Sequence, residues 1–187
     1  MDIQYFTPDP SRAILVVIDF QEKLLGTMPA DIQKSVVKSA SQLILGSMEL
    51  NIPILATEQY PQGLGATIPE ISSLVPGFSA FPKLTFSCYH AHEFRKALEA
   101  ADARDIILCG METHLCVLPT ALELLEDNYN VFIVADAVCS RNKLDWKMSL
   151  KTMRQAGAAI GTVEMFLYQM VEEAGTDRFK KISKILK

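Results

Sequence analysis

The sequence predicts an α/β fold in which helices cover both faces of a doubly wound parallel sheet. Residues 13–18 form an unbroken apolar run, which is typical of a strand that is covered on both faces. Strand-like and helix-like segments alternate along the whole chain, and this alternation indicates parallel strand connections. The chain has 187 residues, 49% of them apolar, which suits a single domain over residues 1–187.

Six strands are predicted from short apolar runs bounded by turn residues. They span residues 13–18, 54–57, 83–86, 105–109, 131–135 and 158–163. Helices are predicted where apolar residues recur at helical spacing. They span residues 31–50, 90–101, 117–128, 143–156, 164–173 and 177–187. Residues 58–79 are rich in proline and glycine, so we expect a long loop there with one helical turn near residues 68–74.

Composition narrows the function classes. The net charge is −4 and no basic block occurs, which argues against a nucleic acid or an anionic membrane as partner. No apolar run approaches the roughly 20 residues of a membrane span. The four cysteines form no CxxC pair, and residues 1–10 resemble neither a signal nor a transit peptide. We therefore expect a cytoplasmic protein with reduced thiols and a small-molecule substrate.

A cysteine at a strand-to-helix elbow carries the most chemical information. The segment GMETHLC (residues 110–116) follows a predicted strand and leads into a helix. Cys116 therefore lies in the first turn of that helix, where free N–H groups and the helix dipole favour negative charge. A thiol in such a place loses its proton more readily, and the thiolate is the nucleophile. The sequence thus predicts a reactive Cys116 with a lowered pKa.

Other polar residues lie at predicted strand ends, where open parallel sheets bind ligands. Asp19 and Asp136 each follow an apolar strand, and Thr57 ends one. Lys83 lies in the segment FPKLTFS (residues 81–87). A carboxylate near an ammonium can take the proton of a thiol and return it to a leaving amine. Asp19, Lys83 and Cys116 are therefore the candidate catalytic residues.

Each of these residues also has a structural explanation. An aspartate after a strand often only caps a turn, an isolated lysine is usually on the surface, and an isolated cysteine is usually a small buried apolar residue. We assign that last role to Cys88 and Cys109, whereas Cys139 lies just past a predicted strand end near the supposed site. His90 and His92 point to different faces of a helix, and His114 is expected to orient the elbow.

Taken together, three segments resemble the isochorismatase-like cysteine hydrolases. The segments are VIDFQ (residues 17–21), FPKLTFS (residues 81–87) and GMETHLCV (residues 110–117), and the resemblance runs from about residue 13 to residue 169. The segment TEQYPQGLG (residues 57–65) is similar to the subgroup described as isochorismatase domain-containing proteins.

The resemblance implies a six-stranded sheet in the order 3-2-1-4-5-6. It implies Asp19 as proton acceptor and donor, Lys83 as electrostatic support and Cys116 as nucleophile. It also implies a cis peptide bond between Met111 and Glu112, with the N–H groups of Glu112 and Cys116 as the oxyanion hole. Side chains near these residues in the sequence are expected to contact the substrate: Phe20, Gln21, Gln59, Tyr60, Phe86 and Leu115.

The chain departs from two branches of this family. Nicotinamidases hold a metal with an Asp-x-His pair after the second strand, where this chain reads EQYPQ (residues 58–62) without a histidine. True isochorismatases can lack the cysteine, and many carry a carrier-protein domain. We therefore expect no metal and no cofactor, and a hydrolase of a small amide, ureido or related acyl compound.

Two other function classes use the same residues. Cys116 could belong to a thiol redox sensor, with Cys139 as the resolving thiol. The fold could also serve as a non-catalytic interaction protein. We further expect a homo-oligomer, because residues near Trp146, Met148 and Leu150, with the apolar turn at residues 165–167, exceed what one helix needs for the core.

Overall fold

The computed structural model describes residues 6–187 and contains one parallel sheet. Its strands are β1 (Ala13–Ile18), β2 (Ile54–Gln59), β3 (Phe81–Lys83), β4 (Asp105–Met111), β5 (Asn130–Cys139) and β6 (Ala159–Gly161). They lie in the order β3-β2-β1-β4-β5-β6, so the predicted six-stranded sheet and its strand order are confirmed. Residues 1–5 lie outside the described residues. They belong to the amino-terminal segment in which the sequence predicts no targeting signal.

Nine α-helices connect and cover the strands in the described part of the chain. They are α1 (Glu22–Leu25), α2 (Ala30–Glu49), α3 (Pro61–Leu64), α4 (Pro69–Ser72), α5 (His92–Ala100), α6 (Leu118–Glu126), α7 (Lys143–Ala156), α8 (Val163–Val171) and α9 (Asp177–Leu186). A 3₁₀ turn at Cys88–His90 and a π turn at Thr113–Val117 complete the connections. Within residues 6–187, no helix combines the length and the apolar character that crossing a membrane requires.

The side chains of β1 explain why its sequence is apolar throughout. Leu15 and Val17 pack into the core on the side of α2, α8 and α9. Ile14, Val16 and Ile18 pack into the opposite core, on the side of α5, α6 and α7. Both faces of the central strand are therefore buried, as in other doubly wound sheets.

Several predicted boundaries shift where strands meet the site. β3 ends at Lys83, whereas the sequence predicted a strand that begins there. β5 does not end before Asp136: its register against β4 shifts between Leu108 and Gly110, and the strand continues to Cys139. Asp136 therefore lies inside the strand rather than at its end, and its Oδ1 accepts a hydrogen bond from the N–H of Val163 at 3.0 Å.

The surface predicted to pair subunits is not continuous. The α7 residues Leu144 and Met148 are exposed, one helical turn apart, but α8 lies over the opposite face of the sheet. Phe166 and Leu167 of α8 are core residues. The expectation that they share a surface with α7 is therefore wrong.

Candidate active site

Asp19 follows β1 directly and adopts a left-handed backbone conformation with φ of 54°. Aspartate is one of the few residues besides glycine that is found there with some frequency. Its N–H donates to the carbonyl oxygen of Thr57 at 3.1 Å, and its carbonyl oxygen accepts from the N–H of Gln21 at 2.7 Å. These bonds fix the turn, and the turn holds a fully buried carboxylate at the end of the central strand.

Lys83 projects its ammonium group into the same space from the end of β3. Its Nζ lies 2.7 Å from Oδ2 of Asp19. It also donates to Oε1 of Gln59 at 2.6 Å and to the carbonyl oxygens of Phe86 and Thr85 at 3.0 and 3.3 Å. A buried cation is tolerated only when it is paired and hydrogen-bonded, and these partners meet that requirement.

Cys116 reaches the ammonium from the π turn between β4 and α6. Its Sγ lies 3.4 Å from Nζ of Lys83, and only 4% of the residue is exposed. The structure therefore brings together Asp19, Lys83 and Cys116, the three residues singled out in the sequence, around one buried ammonium group.

The electrostatics of the site correct the expected state of Cys116. Burial and the nearby Asp19 carboxylate raise the pKa of the Cys116 thiol, and the positive charge of Lys83 offsets only part of this. Burial lowers the pKa of Lys83, and the adjacent Asp19 carboxylate acts against burial, so that the pKa of Lys83 is raised. The expectation of a lowered Cys116 pKa is therefore wrong: the site rests with a thiol and a charged ammonium.

The two carboxylate oxygens of Asp19 have different partners. Oδ1 of Asp19 accepts a hydrogen bond from the hydroxyl of Thr57 at 2.8 Å. Oδ2 lies in the ion pair with Lys83, yet it accepts no hydrogen bond of good geometry. This oxygen can therefore take a proton from a neighbouring group.

The elbow before Cys116 is held by Glu112. The peptide bond between Met111 and Glu112 is cis. The Glu112 carboxylate is buried and accepts from the N–H of Arg141 at 3.0 Å. The Glu112 carbonyl oxygen accepts from the N–H of Cys116 at 3.0 Å. Because this N–H already has a partner, it can serve a substrate oxygen only by sharing its hydrogen between two acceptors.

Two of the expected substrate contacts are wrong. Phe20 is fully buried and packs into the core on the α2 side of the sheet. The side chain of Gln21 donates to the carbonyl oxygens of Gln59 and Gly65 and accepts from the N–H of Gln59 at 2.8 Å. Both residues fix the chain around Asp19, because the left-handed turn directs them into the protein rather than towards a ligand.

The other four residues that were expected to contact the substrate belong to segments that adjoin Lys83 or Cys116. Asp19, Lys83 and Cys116 are called the triad below. Gln59 is half-buried, and its Oε1 lies 3.9 Å from Sγ of Cys116. Leu115 is half-buried next to the thiol, and the side chains of Tyr60 and Phe86 are about half exposed. Leu84, which no sequence pattern singled out, is 76% exposed and directly follows Lys83. Apolar side chains thus project to solvent from the segments that supply Lys83 and Gln59.

Thr57 and Cys88 also contact the site. Thr57 was noted in the sequence as a polar residue at a strand end but was given no catalytic role, and Cys88 was assigned to the core. The Thr57 hydroxyl lies 3.5 Å from Sγ of Cys88 as well as 2.8 Å from Asp19. Thr57 could have been identified from the sheet order alone, because its parallel register places it opposite Ile18, directly before Asp19. No sequence pattern marks Cys88.

The structure separates the remaining cysteines and histidines from the triad. Cys139 packs in the core on the α2 side, and Cys116 in the core on the opposite face of the sheet, so the structure gives no support to Cys139 as a resolving thiol in the alternative redox function. Nδ1 of His114 lies 3.0 Å from Oγ of Ser140, which fits its predicted role in orienting the elbow. His90 pairs with Glu123 at 2.8 Å.

The end of β2 does not fit a metal site of the nicotinamidase kind. Oε1 of Glu58 accepts hydrogen bonds from the N–H and the hydroxyl of Thr67 at 2.7 and 2.8 Å. The Gln59 side chain is bound to Lys83 and to the carbonyl oxygen of Leu84. In residues 6–187, no three His, Cys, Asp or Glu side chains are grouped as metal ligands.

Comparisons with known proteins indicate the family of this chain. Residues 13–165 match the isochorismatase domain. The chain is 38% identical over 179 residues to isochorismatase domain-containing protein 2A of Mus musculus, covering 95% of this chain and 84% of that protein. The structure superposes on that of the MAR1 ribonuclease from Caenorhabditis elegans with a TM-score of 0.89, at 33% identity, over 96% of this chain and 92% of the other.

A more distant structure shares the fold. It is the YcaC gene product of Escherichia coli, described as an octameric hydrolase of unknown specificity, with a TM-score of 0.88, 22% identity, and coverage of 96% and 89%. The domain match spans most of the sequence, and the mouse relative exceeds one third identity over nearly all of it. The chain therefore belongs to the isochorismatase family of hydrolases.

Proposed function

We propose that this chain is a metal-independent cysteine hydrolase that cleaves a small amide, ureido or related acyl compound through a thioester-type intermediate on Cys116. One observation carries the proposal: a single buried ammonium, that of Lys83, lies 2.7 Å from the Asp19 carboxylate and 3.4 Å from the Cys116 thiol. This arrangement supplies a nucleophile, a base and a charge that stabilises both anions.

The first half of the reaction forms the acyl-enzyme. Oδ2 of Asp19 takes the Cys116 proton while Sγ bonds to the carbonyl carbon of the substrate, and the carbonyl π electrons move onto oxygen. The tetrahedral intermediate then collapses: the C–N bond breaks, the leaving nitrogen takes the proton from Asp19, and a thioester remains on Cys116. Lys83 keeps its positive charge throughout and balances the negative charge as it moves between sulfur and carboxylate.

The second half returns the enzyme to its resting state. Asp19 takes a proton from a water molecule as the water oxygen attacks the thioester carbon. The C–S bond then breaks, the acid product leaves, and the thiolate recovers the proton from Asp19. The raised pKa of the Cys116 thiol supports this last step, because it favours return to the protonated state.

We propose the N–H groups of Glu112 and Cys116 as donors to the substrate oxygen. The π turn at Thr113–Val117, which carries Cys116 to the site, supports this assignment. The contact of the Cys116 N–H with the Glu112 carbonyl oxygen means that this donor would be shared. We propose that Gln59, whose Oε1 lies 3.9 Å from Sγ of Cys116, contacts the substrate, together with Leu115, Tyr60 and Phe86.

The proposal is tested with a panel of primary amides, ureido compounds and carboxylic esters. Release of ammonia or alcohol is measured, and acid-quenched protein is weighed by intact mass spectrometry. We expect at least one compound to turn over and to leave an acyl group on Cys116. Cys116→Ala and Asp19→Asn should each reduce that turnover by about a thousandfold or more. Cys109→Ala, which removes a fully buried thiol from β4, is the matched control and should retain activity.

Turnover that survives Cys116→Ala would contradict the proposal. A redox function is the second candidate, but the position of Cys139 on the other face of the sheet gives it no support. A scaffold function predicts no turnover and no adduct with any compound of the panel.

Ribonuclease activity is a further outcome of the same test, because the nematode relative is described as a ribonuclease. Cleavage of RNA requires cationic or acid–base groups that face a phosphate. The one ammonium of this site is buried and bound to Asp19 and Gln59, and no basic block occurs in the sequence. These features favour acyl transfer, and incubation with single-stranded RNA would reveal the alternative activity.

We also propose that the chain forms a homo-oligomer. Leu144 and Met148 expose large apolar side chains from adjacent turns of α7, with exposures of 61% and 48%. Apolar residues exposed side by side favour burial against a partner. The E. coli protein that shares the fold is described as octameric, which is consistent with this proposal.

A further inference from the structure

A threonine hydroxyl joins the proposed base to a second buried thiol. Oγ1 of Thr57 lies 2.8 Å from Oδ1 of Asp19 and 3.5 Å from Sγ of Cys88. Asp19 and Cys88 are fully buried, and Thr57 is 1% exposed. None of these three groups can therefore exchange its partner for bulk water.

The direction of these hydrogen bonds follows from the chemistry of the groups. An ionised carboxylate only accepts hydrogen bonds, so the Thr57 hydroxyl must donate its hydrogen to Asp19. The lone pairs of that hydroxyl then remain, and the Cys88 thiol is the donor beside them. Burial raises the pKa of the Cys88 thiol to about 11, so that it stays protonated at neutral pH.

A second chain of contacts ties Cys88 to the backbone of the nucleophile. The N–H of Cys88 donates to Oγ1 of Thr120 at 2.9 Å, and that hydroxyl donates to the carbonyl oxygen of Cys116 at 2.7 Å. Base and nucleophile are thus connected by Lys83 on one side and by Thr57, Cys88 and Thr120 on the other.

We infer that Thr57 and Cys88 are a positioning pair that orients Asp19 and stabilises its ionised form, so that Oδ2 alone is left to take the Cys116 proton. The inference rests on the proposed function, because it assigns Asp19 the role of base. The hydrogen bond to Oδ1 fixes the carboxylate plane, and the bond from Cys88 fixes the rotation of the Thr57 hydroxyl. A hydrogen bond to an ionised acceptor is stronger than one between neutral groups, so its loss disfavours the carboxylate.

The effect can be read from the pH dependence of Cys116 alkylation, without any substrate. Iodoacetamide is the probe, and the modified fraction of Cys116 is measured by peptide mass spectrometry, so that the other thiols do not contribute. The acid limb is the part of the rate profile in which alkylation slows as the pH falls, because the site no longer takes up the Cys116 proton. The titratable groups that face Asp19 are Lys83, Cys116 and Cys88, so the limb belongs to this coupled group.

In Thr57→Val we expect the acid limb to move to higher pH by about one to two units, the range that loss of a hydrogen bond to a charged group predicts. Thr57→Ser keeps the hydroxyl and should restore the wild-type limb. Cys88→Ala should move the limb in the same direction by a few tenths of a unit, because a thiol is a weak donor. Cys88→Ser, which keeps a donor, should restore it.

The controls remove buried groups that do not contact Asp19. Ser47→Ala removes an unpartnered buried hydroxyl from α2, and Cys109→Ala removes a buried thiol from β4. Both should leave the limb in place. The inference is overturned if the acid limb of Thr57→Val lies at the same pH as that of wild type, or if either control variant shifts the limb as far as Thr57→Val does. If the limb does not move in Cys88→Ala, the part of the inference that concerns Cys88 is wrong.

Asp19→Asn separates this inference from the proposed function. If the acid limb disappears in Asp19→Asn but does not move in Thr57→Val, Asp19 is the base and the positioning pair is wrong. If Asp19→Asn leaves the limb unchanged, Asp19 is not the base, and the proposed function and the inference both fail.

Discussion

The ammonium nitrogen of Lys83 lies 2.7 Å from Oδ2 of Asp19, and neither side chain is exposed to solvent. A buried ion pair of this kind adds little stability by itself, but removal of one partner leaves the other charge uncompensated. We therefore expect Lys83→Met to lower the free energy of unfolding by about 3–5 kcal/mol at neutral pH, measured by urea denaturation.

The double variant Asp19→Asn/Lys83→Met separates the charge effect from a packing effect. With both charges removed, most of the lost stability should return, although the proposed activity should not. If the double variant is as unstable as Lys83→Met, the loss comes from packing, and the ion pair is not its cause.

The second prediction concerns the free energy of unfolding at alkaline pH, and it rests on the four buried thiols. Burial raises the pKa of Cys88, Cys109, Cys116 and Cys139 above the ordinary value of 9.0. A folded state that holds these protons more tightly than the unfolded chain is stabilised below pH 9 and loses that stability as the pH rises further. The free energy of unfolding should thus be flat from about pH 7 to 8.5 and should then fall by about 1.4 kcal/mol per pH unit for each thiol that the unfolded chain ionises.

Cys109→Ala should reduce that alkaline slope by the contribution of one thiol, about 1.4 kcal/mol per pH unit. This change in slope is independent of any effect of the substitution on stability at pH 7. Ser47→Ala, which removes a buried hydroxyl that does not titrate in this range, should leave the slope unchanged. A slope that is the same in Cys109→Ala and wild type would contradict the assignment of the alkaline loss to buried thiols.

Local sequence patterns were sufficient to predict the parallel sheet and to select Asp19, Lys83 and Cys116, which the structure brings together. The apolar run of β1 and the alternation of strands and helices determine a parallel sheet, and strand ends in such a sheet share one edge. Asp19 was selected because it follows a recognisable strand, Cys116 because it lies at a strand-to-helix elbow, and Lys83 because it lies in the segment FPKLTFS (residues 81–87).

The parts that could not be predicted depend on orientation and on long-range contacts. Phe20 and Gln21 were assigned to the substrate because they adjoin Asp19, but the left-handed turn at Asp19 directs both into the protein. The pKa of Cys116 was expected to fall because a helix begins there, whereas burial depth and the proximity of Asp19 decide its direction. Neither quantity is visible in a linear pattern.

A third prediction concerns metal ions. Glu58 is bound to Thr67 and Gln59 to Lys83, so the end of β2 offers no free ligand set. We expect that activity on any substrate of the panel survives dialysis against EDTA and 1,10-phenanthroline. Metal content is measured in the same samples by inductively coupled plasma mass spectrometry. A stoichiometric metal that is lost together with activity and restores it on re-addition would contradict this.

A fourth prediction concerns assembly through α7. Leu144 and Met148 are exposed on adjacent turns, and a glutamate there would put charge into any apolar contact between subunits. Wild type should scatter light as an oligomer at micromolar concentration, and Leu144→Glu and Met148→Glu should each lower the measured mass. The midpoint temperature of thermal unfolding at high dilution should differ little between these variants and wild type, since neither side chain is in the core. A wild-type mass equal to one chain would dispose of the prediction.

The fifth prediction concerns the approach of two central strands just before the elbow. Gly110 has φ of 133°, and a Cβ atom on it would lie 2.1 Å from the carbonyl oxygen of Ile18. That oxygen belongs to the backbone of β1, which is held by β2 on one side and by β4 on the other, so it cannot move aside. Gly110→Ala should therefore lower the free energy of unfolding by more than about 4 kcal/mol, or prevent folding altogether.

Gly77→Ala is the matched control for this effect. Gly77 also has a positive φ, 68°, but nothing lies within 4 Å of the position that a Cβ atom would take. Its substitution should cost only the backbone strain of about 1–2 kcal/mol. Both variants are compared with wild type by urea denaturation and circular dichroism. If Gly110→Ala is no less stable than Gly77→Ala, the close approach of β1 and β4 does not require glycine, and the elbow that carries Cys116 does not depend on it.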